Sequence, residues 1–463
     1  MKTVAIAAWW FLALFLSLIS AVYACSEAHD DDEDEVEQWD DDDSFDFFSN
    51  NLDLFERNDL IEVKCNSMDC SSMISKTNGR VPYAWDRGLV TPKIKPALIL
   101  HEHARAASNM RKNFRGETLV YVTPWNKRGY ELAKQFRTKF TYISPVWLQV
   151  REDSEKVPII TGTHEIDRQW VHDIRNGDEE IEEKQEVPAI VPRVVYERNR
   201  LSSEDVPLII DNMLELMNKH TFDGMVFEVP VIGGTVDMLQ QMARAFQEVN
   251  KLLILVLSRS SKDGEMSVTH EIFAELAPLV HRFSMNAYDF ATPGPNAPYW
   301  WLEKTLRKMS PMERQRILMG VPFYGYDNTD AITGSMYIQS LRDNNITNIR
   351  WDATAHECQH EYTAARTESH HVVYFPCLQF LHDRLTLYKD HGVGVAIWEL
   401  GQELYIEIVK MLRLYSRTKN CPQYRGLDGS VGVWPTSPLR LPSTKSLSTC
   451  RTSASESTAK EKA

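Results

Sequence analysis

The chain has 463 residues, is 43% hydrophobic and 25% charged, and carries a formal net charge of −14. That is the composition of a globular protein, with room for one large α/β barrel plus appendages. Positions 30–46 hold twelve acidic and no basic residues, so the remainder carries only −2; the acidity belongs to one segment, and a nucleic-acid partner is not expected.

Residues 1–24 have the form of a secretory signal peptide. Lys2 supplies the positive end, residues 9–19 form an apolar core too short to span a bilayer comfortably, and Val22-Tyr23-Ala24 places small residues at the cleavage-relevant positions. No other stretch of about 20 apolar residues occurs, so the mature chain is expected to lack a membrane span. Residues 25–87 form an acidic lead-in that cannot bury enough surface to fold alone. Residues 417–463 are a Ser/Thr/Pro-rich tail expected to be disordered.

Between these segments, from 88 to 416, strands alternate with helices. A helix is predicted over 96–110, a strand over 118–123 containing Tyr121, and a helix over 130–137. Strands follow over 140–150 and over 189–196, the latter with Pro192 inside it. A helix over 203–220 leads into the strand 221–230, and a helix over 237–250 leads into the strand 252–257. The last three strands fall at 283–289, 317–324 and 394–399. Eight strands with intervening helices predict a (β/α)8 TIM barrel. No Gly-x-Gly-x-x-Gly turn supports nucleotide binding, and no Cys-x-x-Cys or His-Glu-x-x-His spacing supports a metal, so no cofactor is expected. His370-His371 reads as a polar strand start. Seven cysteines (Cys25, Cys65, Cys70, Cys358, Cys377, Cys421 and Cys450) leave at least one unpaired within a monomer; Cys65–Cys70 and Cys358–Cys377 are candidate pairs.

The stretch 221–230, TFDGMVFEVP, carries the chemistry. Alternation puts Val226, Glu228 and Pro230 on one face and Asp223, Met225 and Phe227 on the other. Glu228 is then a lone carboxylate among apolar neighbours. It needs a partner such as an arginine, or an opening to water. Barrel sites form at the C-terminal strand ends. Those ends carry Trp125, Trp147, Tyr288, Tyr324 and Trp398, with Glu228 and Asp289 as carboxylates. Aromatic faces stack on sugar rings while carboxylates bind hydroxyls, so the rim, with Tyr121 of the strand 118–123 as a further candidate sugar-binding residue, predicts a carbohydrate groove.

The strand resembles the active-site strand of glycoside hydrolase family 18, the chitinases and chitinase-like lectins, whose pattern is Asp-Gly-x-Asp-x-Asp-x-Glu. Asp223-Gly224 matches its opening. Val226 and Glu228 replace the two inner aspartates, and Pro230 stands where the family has its general acid. Tyr288-Asp289, with Asn286 in place of a methionine, and Trp398 resemble residues of the family's central sugar subsite, and Phe323-Tyr324-Gly325 resembles its seventh-strand Pro-Phe-Tyr-Gly. The resemblance implies binding of chitin-type N-acetylglucosamine oligomers by a secreted or lysosomal protein. Residues 335–379 resemble the family's small α+β insertion between strands 7 and 8, with Trp351, Asp352 and Tyr362 as candidate wall residues. Asn345-Ile346-Thr347 within it is the only N-glycosylation sequon.

Family 18 hydrolysis is substrate-assisted and needs an acid at the leaving oxygen. Glu228 lies one strand step, about 6.6 Å, below that position, and its extra methylene regains only about 1.5 Å. A lectin is therefore expected. The alternatives are a weak glycosidase using Glu228, and an adaptor whose acidic segment binds a sorting or scavenger receptor.

Overall fold

The computed structural model describes residues 84, 87–103, 114–177, 187–198, 203–365, 367–402, 424–425 and 431–432. The signal-peptide and acidic segments, Cys25, Cys65, Cys70, Cys421 and Cys450 lie outside the described residues.

In chain order the elements are α1 (Pro96–Glu102), β1 (Thr118–Val122), α2 (Lys127–Gln135), β2 (Tyr142–Pro145), β3 (Leu148–Glu152), β4 (Pro158–Thr161), α3 (Arg168–Asn176), β5 (Ala189–Ile190) and β6 (Arg193–Tyr196). Then come α4 (Val206–His220), β7 (Gly224–Glu228), α5 (Val236–Glu248), β8 (Leu252–Leu257), α6 (His270–Leu276), β9 (Arg282–Met285), α7 (Tyr299–Lys308), α8 (Pro311–Arg314) and β10 (Ile317–Pro322). After β11 (Gly325–Asp327), β12 (Asp330–Ile332), α9 (Gly334–Asp343), β13 (Arg350–Asp352), β14 (Glu357–Thr363) and β15 (His370–Phe375), the barrel resumes with α10 (Leu378–His391) and β16 (Gly394–Trp398). Two further short strands, β17 (Tyr424–Arg425) and β18 (Val431–Gly432), pair antiparallel within the segment expected to be disordered.

Local sequence sets these elements. The LLILVL run of β8 is apolar throughout because a parallel barrel strand is covered on both faces. In α3 the Asp167 side chain accepts the Trp170 amide, satisfying one orphan donor of the first turn. Helix α4 opens with Pro207 and ends with Lys219 and His220 near its carbonyl end, where the helix dipole favours positive charge.

The sheet order is β4-β3-β6-β7-β8-β9-β10-β16-β1-β2-β5, and every neighbouring pair but β3–β4 is parallel. Two predicted strands are each broken in two. The strand over 140–150 splits into β2 and β3 around Val146-Trp147, and the strand over 189–196 splits into β5 and β6 at Pro192. A proline has no N–H to give a ladder, and Pro145 and Pro192 stand at these breaks. Half of each broken strand pairs on one side (β2 with β5) and half on the other (β3 with β6), so the sheet curls into an eight-stranded barrel. Leu119, Val226, Ile254, Leu318 and Ala396 fill its interior, and the remaining core lies between strands and helices.

The insertion is a five-stranded sheet, β12-β11-β15-β14-β13, that starts at Gly325, earlier than the expected 335. Helix α9 covers one face, with Tyr337 stacked on Phe375 at 4.4 Å. Cys358 on β14 is disulfide-bonded to Cys377, just before α10, as the second candidate pairing expected. Asn345 is exposed beyond the end of α9. Among the described residues no helix is long and apolar enough to cross a membrane.

Candidate functional site

The C-terminal strand ends enclose a cavity of about 210 Å³, lined by Tyr121, Arg193, Glu228, Val256, Asn286, Tyr288, Asp289, Tyr324 and Trp398. Six of the sequence-predicted residues (Tyr121, Glu228, Tyr288, Asp289, Tyr324 and Trp398) thus meet in one place. They come from five strands or strand ends distant in sequence.

Trp125 and Trp147 do not join them. Trp125 is 68% exposed in the loop after β1. Trp147 is 1% exposed and its indole N–H donates to the Tyr130 hydroxyl at 2.6 Å. The break after Pro145 explains this. Val146 points into the barrel, and Trp147 points outward into the helix layer against Trp170 and Phe222. The proposed wall residues of the insertion are also placed otherwise. Trp351 packs on His356, Asp352 accepts the amides of Thr354 and Ala355, and Tyr362 bonds Asp327. A second cavity of about 250 Å³ shares Tyr324 and Trp398 with the first, and its insertion wall is Ala331, Ile332 and Thr333.

Glu228 has the partner its burial demands. The Arg193 Nε and Nη2 groups both donate to its Oε2. Arg193 on β6 also lies over the Trp398 ring, 5.0 Å from the centroid. No motif or spacing in the chain singles out Arg193. Only its place after Pro192, at the start of an inward-facing strand half, could have marked it. Pro230 is exposed, is not part of the cavity lining, and its carbonyl accepts the Thr235 hydroxyl at 2.7 Å.

Asp289 adopts φ 58°, a left-handed conformation uncommon for a non-glycine residue. Asn296, 1% exposed, holds it there: its Oδ1 accepts the Asp289 N–H at 2.7 Å and its Nδ2 donates to the Tyr324 carbonyl at 3.3 Å. The Asp289 Oδ1 then accepts the hydroxyls of Tyr324 and of Tyr326, the latter at 2.6 Å. The Tyr288 hydroxyl donates to Asn286 Oδ1 at 2.9 Å, and Tyr121 to Ser284 at 2.9 Å. Burial pushes the phenols of Tyr121 and Tyr326 up to about 12 and those of Tyr288 and Tyr324 further. All four remain neutral O–H donors at physiological pH. The cavity is therefore walled by aromatic faces and neutral donors, with one guanidinium–carboxylate pair. Among the described residues no cluster of His, Cys, Asp and Glu could hold a metal ion.

Gly320 makes room for Tyr288. A Cβ there would meet Met285 O and Ala287 N at 2.7 Å and the Tyr288 ring at 2.8 Å. Because two of those atoms are backbone, Gly320→Ala is expected to cost about 1–3 kcal/mol in urea denaturation and to displace Tyr288. Unchanged stability would show that the strand yields freely at this point.

Residues 199–403 match the family described as Glycosyl hydrolases family 18. Among solved structures the chain is similar to a chitinase from Chromobacterium violaceum ATCC 12472 (TM-score 0.54, 18% identity, 64% of this chain and 98% of that one). It is also similar to the spore cortex-lytic enzyme SleL of Bacillus megaterium QM B1551 (TM-score 0.52, 16% identity, 66% and 75%). A third is a GH18 chitinase from Cycas revoluta in complex with (GlcNAc)3 (TM-score 0.50, 12% identity, 64% and 98%). Likeness at such identities shows a shared fold. The match to Glycosyl hydrolases family 18 thus lies on residues 199–403, and the likeness to these structures shows the TIM-barrel fold they share.

Proposed function

We propose that the protein is a chitinase-like lectin that binds chitin-type N-acetylglucosamine oligosaccharides at the barrel mouth without hydrolysing them. The observation that carries this reading is the cavity itself. Trp398, Tyr288, Tyr324 and Tyr121 offer ring faces and phenol oxygens, each phenol proton being already given to a protein acceptor, while its two carboxylates are both engaged, Glu228 by Arg193 and Asp289 by two phenols. With Pro230 at the family's acid position, no lining group is left to protonate a leaving oxygen. Losing a general acid costs on the order of 10²- to 10⁴-fold in rate. The Cycas revoluta relative bound to (GlcNAc)3 supports the choice of sugar. Motifs such as VTPWNKRGYELAKQF, PGPNAPYWW and GVGVAIWELGQ resemble the chitinase domain-containing protein 1 branch, also called stabilin-interacting chitinase-like. On that resemblance the reading extends to a secretory-pathway protein, secreted or lysosomal, glycosylated at Asn345, with a sorting or scavenger receptor as a further partner.

Calorimetry and mass spectrometry with chitotetraose test it. Binding without cleavage is expected, and Trp398→Ala should weaken binding by about 1–2 kcal/mol, roughly five- to thirtyfold. Cleavage lost in Glu228→Gln would establish the glycosidase instead. Neither binding nor cleavage would overturn both and favour the adaptor.

A further inference from the structure

The insertion sheet carries a second group of reactive side chains, apart from the barrel mouth. Tyr326 and Asp327 alternate along β11. The Tyr326 hydroxyl reaches Asp289 at the mouth. Asp327 takes the opposite face, where the Tyr362 hydroxyl donates to its Oδ2 at 2.7 Å and His371 Nδ1 lies 2.7 Å from its Oδ1. His371 Nε2 lies 2.9 Å from Ser369 Oγ, and Ser369 Oγ lies 2.6 Å from Thr367 Oγ1.

The donors and acceptors assign themselves. An ionised Asp327 only accepts, so His371 Nδ1 carries the proton and Nε2 presents its lone pair. Ser369 then donates its hydroxyl hydrogen to Nε2, and Thr367 donates to Ser369 Oγ. The Tyr362 ring, stacked on His371 at 4.5 Å and 13° between planes, fixes the imidazole orientation. The side chains of Asp327 and His371 are 15% and 24% exposed, while Ser369 is exposed on the hairpin turn. A nucleophile, a base bonded to it and a carboxylate orienting the base are the three roles of an acyl-transfer triad, which is recognised by geometry and not by chain order.

We propose that Ser369, His371 and Asp327 form a nucleophilic centre that hydrolyses small, unhindered acyl esters such as acetyl esters. Ser369 Oγ attacks the carbonyl carbon as its proton passes to His371 Nε2. The bond to the alcohol oxygen breaks, and the alcohol leaves with that proton. Water then attacks the acyl–Ser369 ester by the same route, releasing the carboxylic acid and restoring the serine. The Thr367 hydroxyl stabilises negative charge on Oγ when the serine leaves. Exposure of Ser369 on a turn leaves the acyl group open to solvent, which favours small esters over long acyl chains.

The test uses the full chain with a fluorophosphonate probe and with 4-nitrophenyl acetate, neither of which involves the sugar groove. Peptide mass mapping is expected to place the phosphonyl adduct on Ser369. Ser369→Ala, which removes one exposed hydroxyl and should leave the melting temperature unchanged, is expected to abolish the adduct. Asp327→Asn is expected to slow labelling at least about tenfold by favouring the wrong imidazole tautomer. No adduct on Ser369, or ester cleavage at the same rate in Ser369→Ala, would overturn the proposal.

Discussion

Replacing Arg384 by leucine is expected to destabilise the protein by about 3–5 kcal/mol, because it strands a buried carboxylate. Arg384 is fully buried on α10, with its guanidinium 3.7 Å over the Phe380 ring. It donates to the carbonyls of His356 at 2.6 Å, Ala297 at 2.7 Å and Ala355 at 2.9 Å. Glu357 lies 3.7 Å away with its side chain 3% exposed, and accepts the amides of Asn296 and Ala297 at 3.0 and 2.7 Å. Burial pushes Glu357 up to about 7, while Arg384 and the two amides hold it down. Without Arg384 the carboxyl should rise further in the folded state only. The deficit should therefore be nearly constant below about pH 6 and grow as pH rises through about 7 to 8, where Glu357 of the parent ionises while the variant still holds a proton that its unfolded chain has already lost. Pairing Arg384→Leu with Glu357→Gln should recover part of the loss. Because Asn296 also holds Asp289, chitotetraose binding should weaken alongside stability. A loss below about 1 kcal/mol in urea denaturation, equal below about pH 6 and at about pH 8, would show that the pair is not coupled as described.

Acid is expected to destabilise the fold between pH 6.5 and 4, chiefly through His360. This residue is 1% exposed on β14, and neither ring nitrogen has a hydrogen-bond partner among the described residues. Burial lowers it from 6.5 to about 4, with Asp327 opposing weakly. The folded state thus requires a neutral imidazole. Its stability is complete above about 6.5, where both states are neutral. It is lost as pH falls toward 4, because the unfolded chain takes up the proton first. A shift of that size corresponds to about 3 kcal/mol. His281 at the barrel base, bonded to the Tyr142 hydroxyl at 2.7 Å and also lowered to about 4 by burial, acts in the same direction. His360→Leu removes no hydrogen bond and should flatten the pH profile, matching the parent at pH 8 and exceeding it at pH 5. A profile unaltered by the substitution would place the acid sensitivity elsewhere.

Much of the barrel was legible in the chain. A short apolar run such as 252–257, following a helix and rich in β-formers, reads as a strand covered on both faces, and 252–257 agrees with β8 residue for residue. Glu228 followed from two-residue alternation, and Tyr288, Asp289, Tyr324 and Trp398 from their places at strand ends; these residues line one cavity. Alternation failed where the backbone departs from a regular strand. At Val146-Trp147 the break between β2 and β3 turns the indole away from the mouth into the helix layer. Trp125 sits in the loop beyond β1, where no pleat fixes its direction.

The sequence by itself determined the order of strands and helices, the lone carboxylate at 228 and the proline at 230, because each depends only on residue type and short-range periodicity. Tertiary structure alone decided that Arg193 takes Glu228, that Asn296 holds Asp289 in a left-handed turn, and that Ser369, His371 and Asp327 share hydrogen bonds. Those partners lie 35, 7 and up to 44 positions apart. Hydrogen bonds and ion pairs act over about 3 Å. Which groups come that close is set by how the sheet curls and how the insertion folds back, and no local pattern in the chain encodes it.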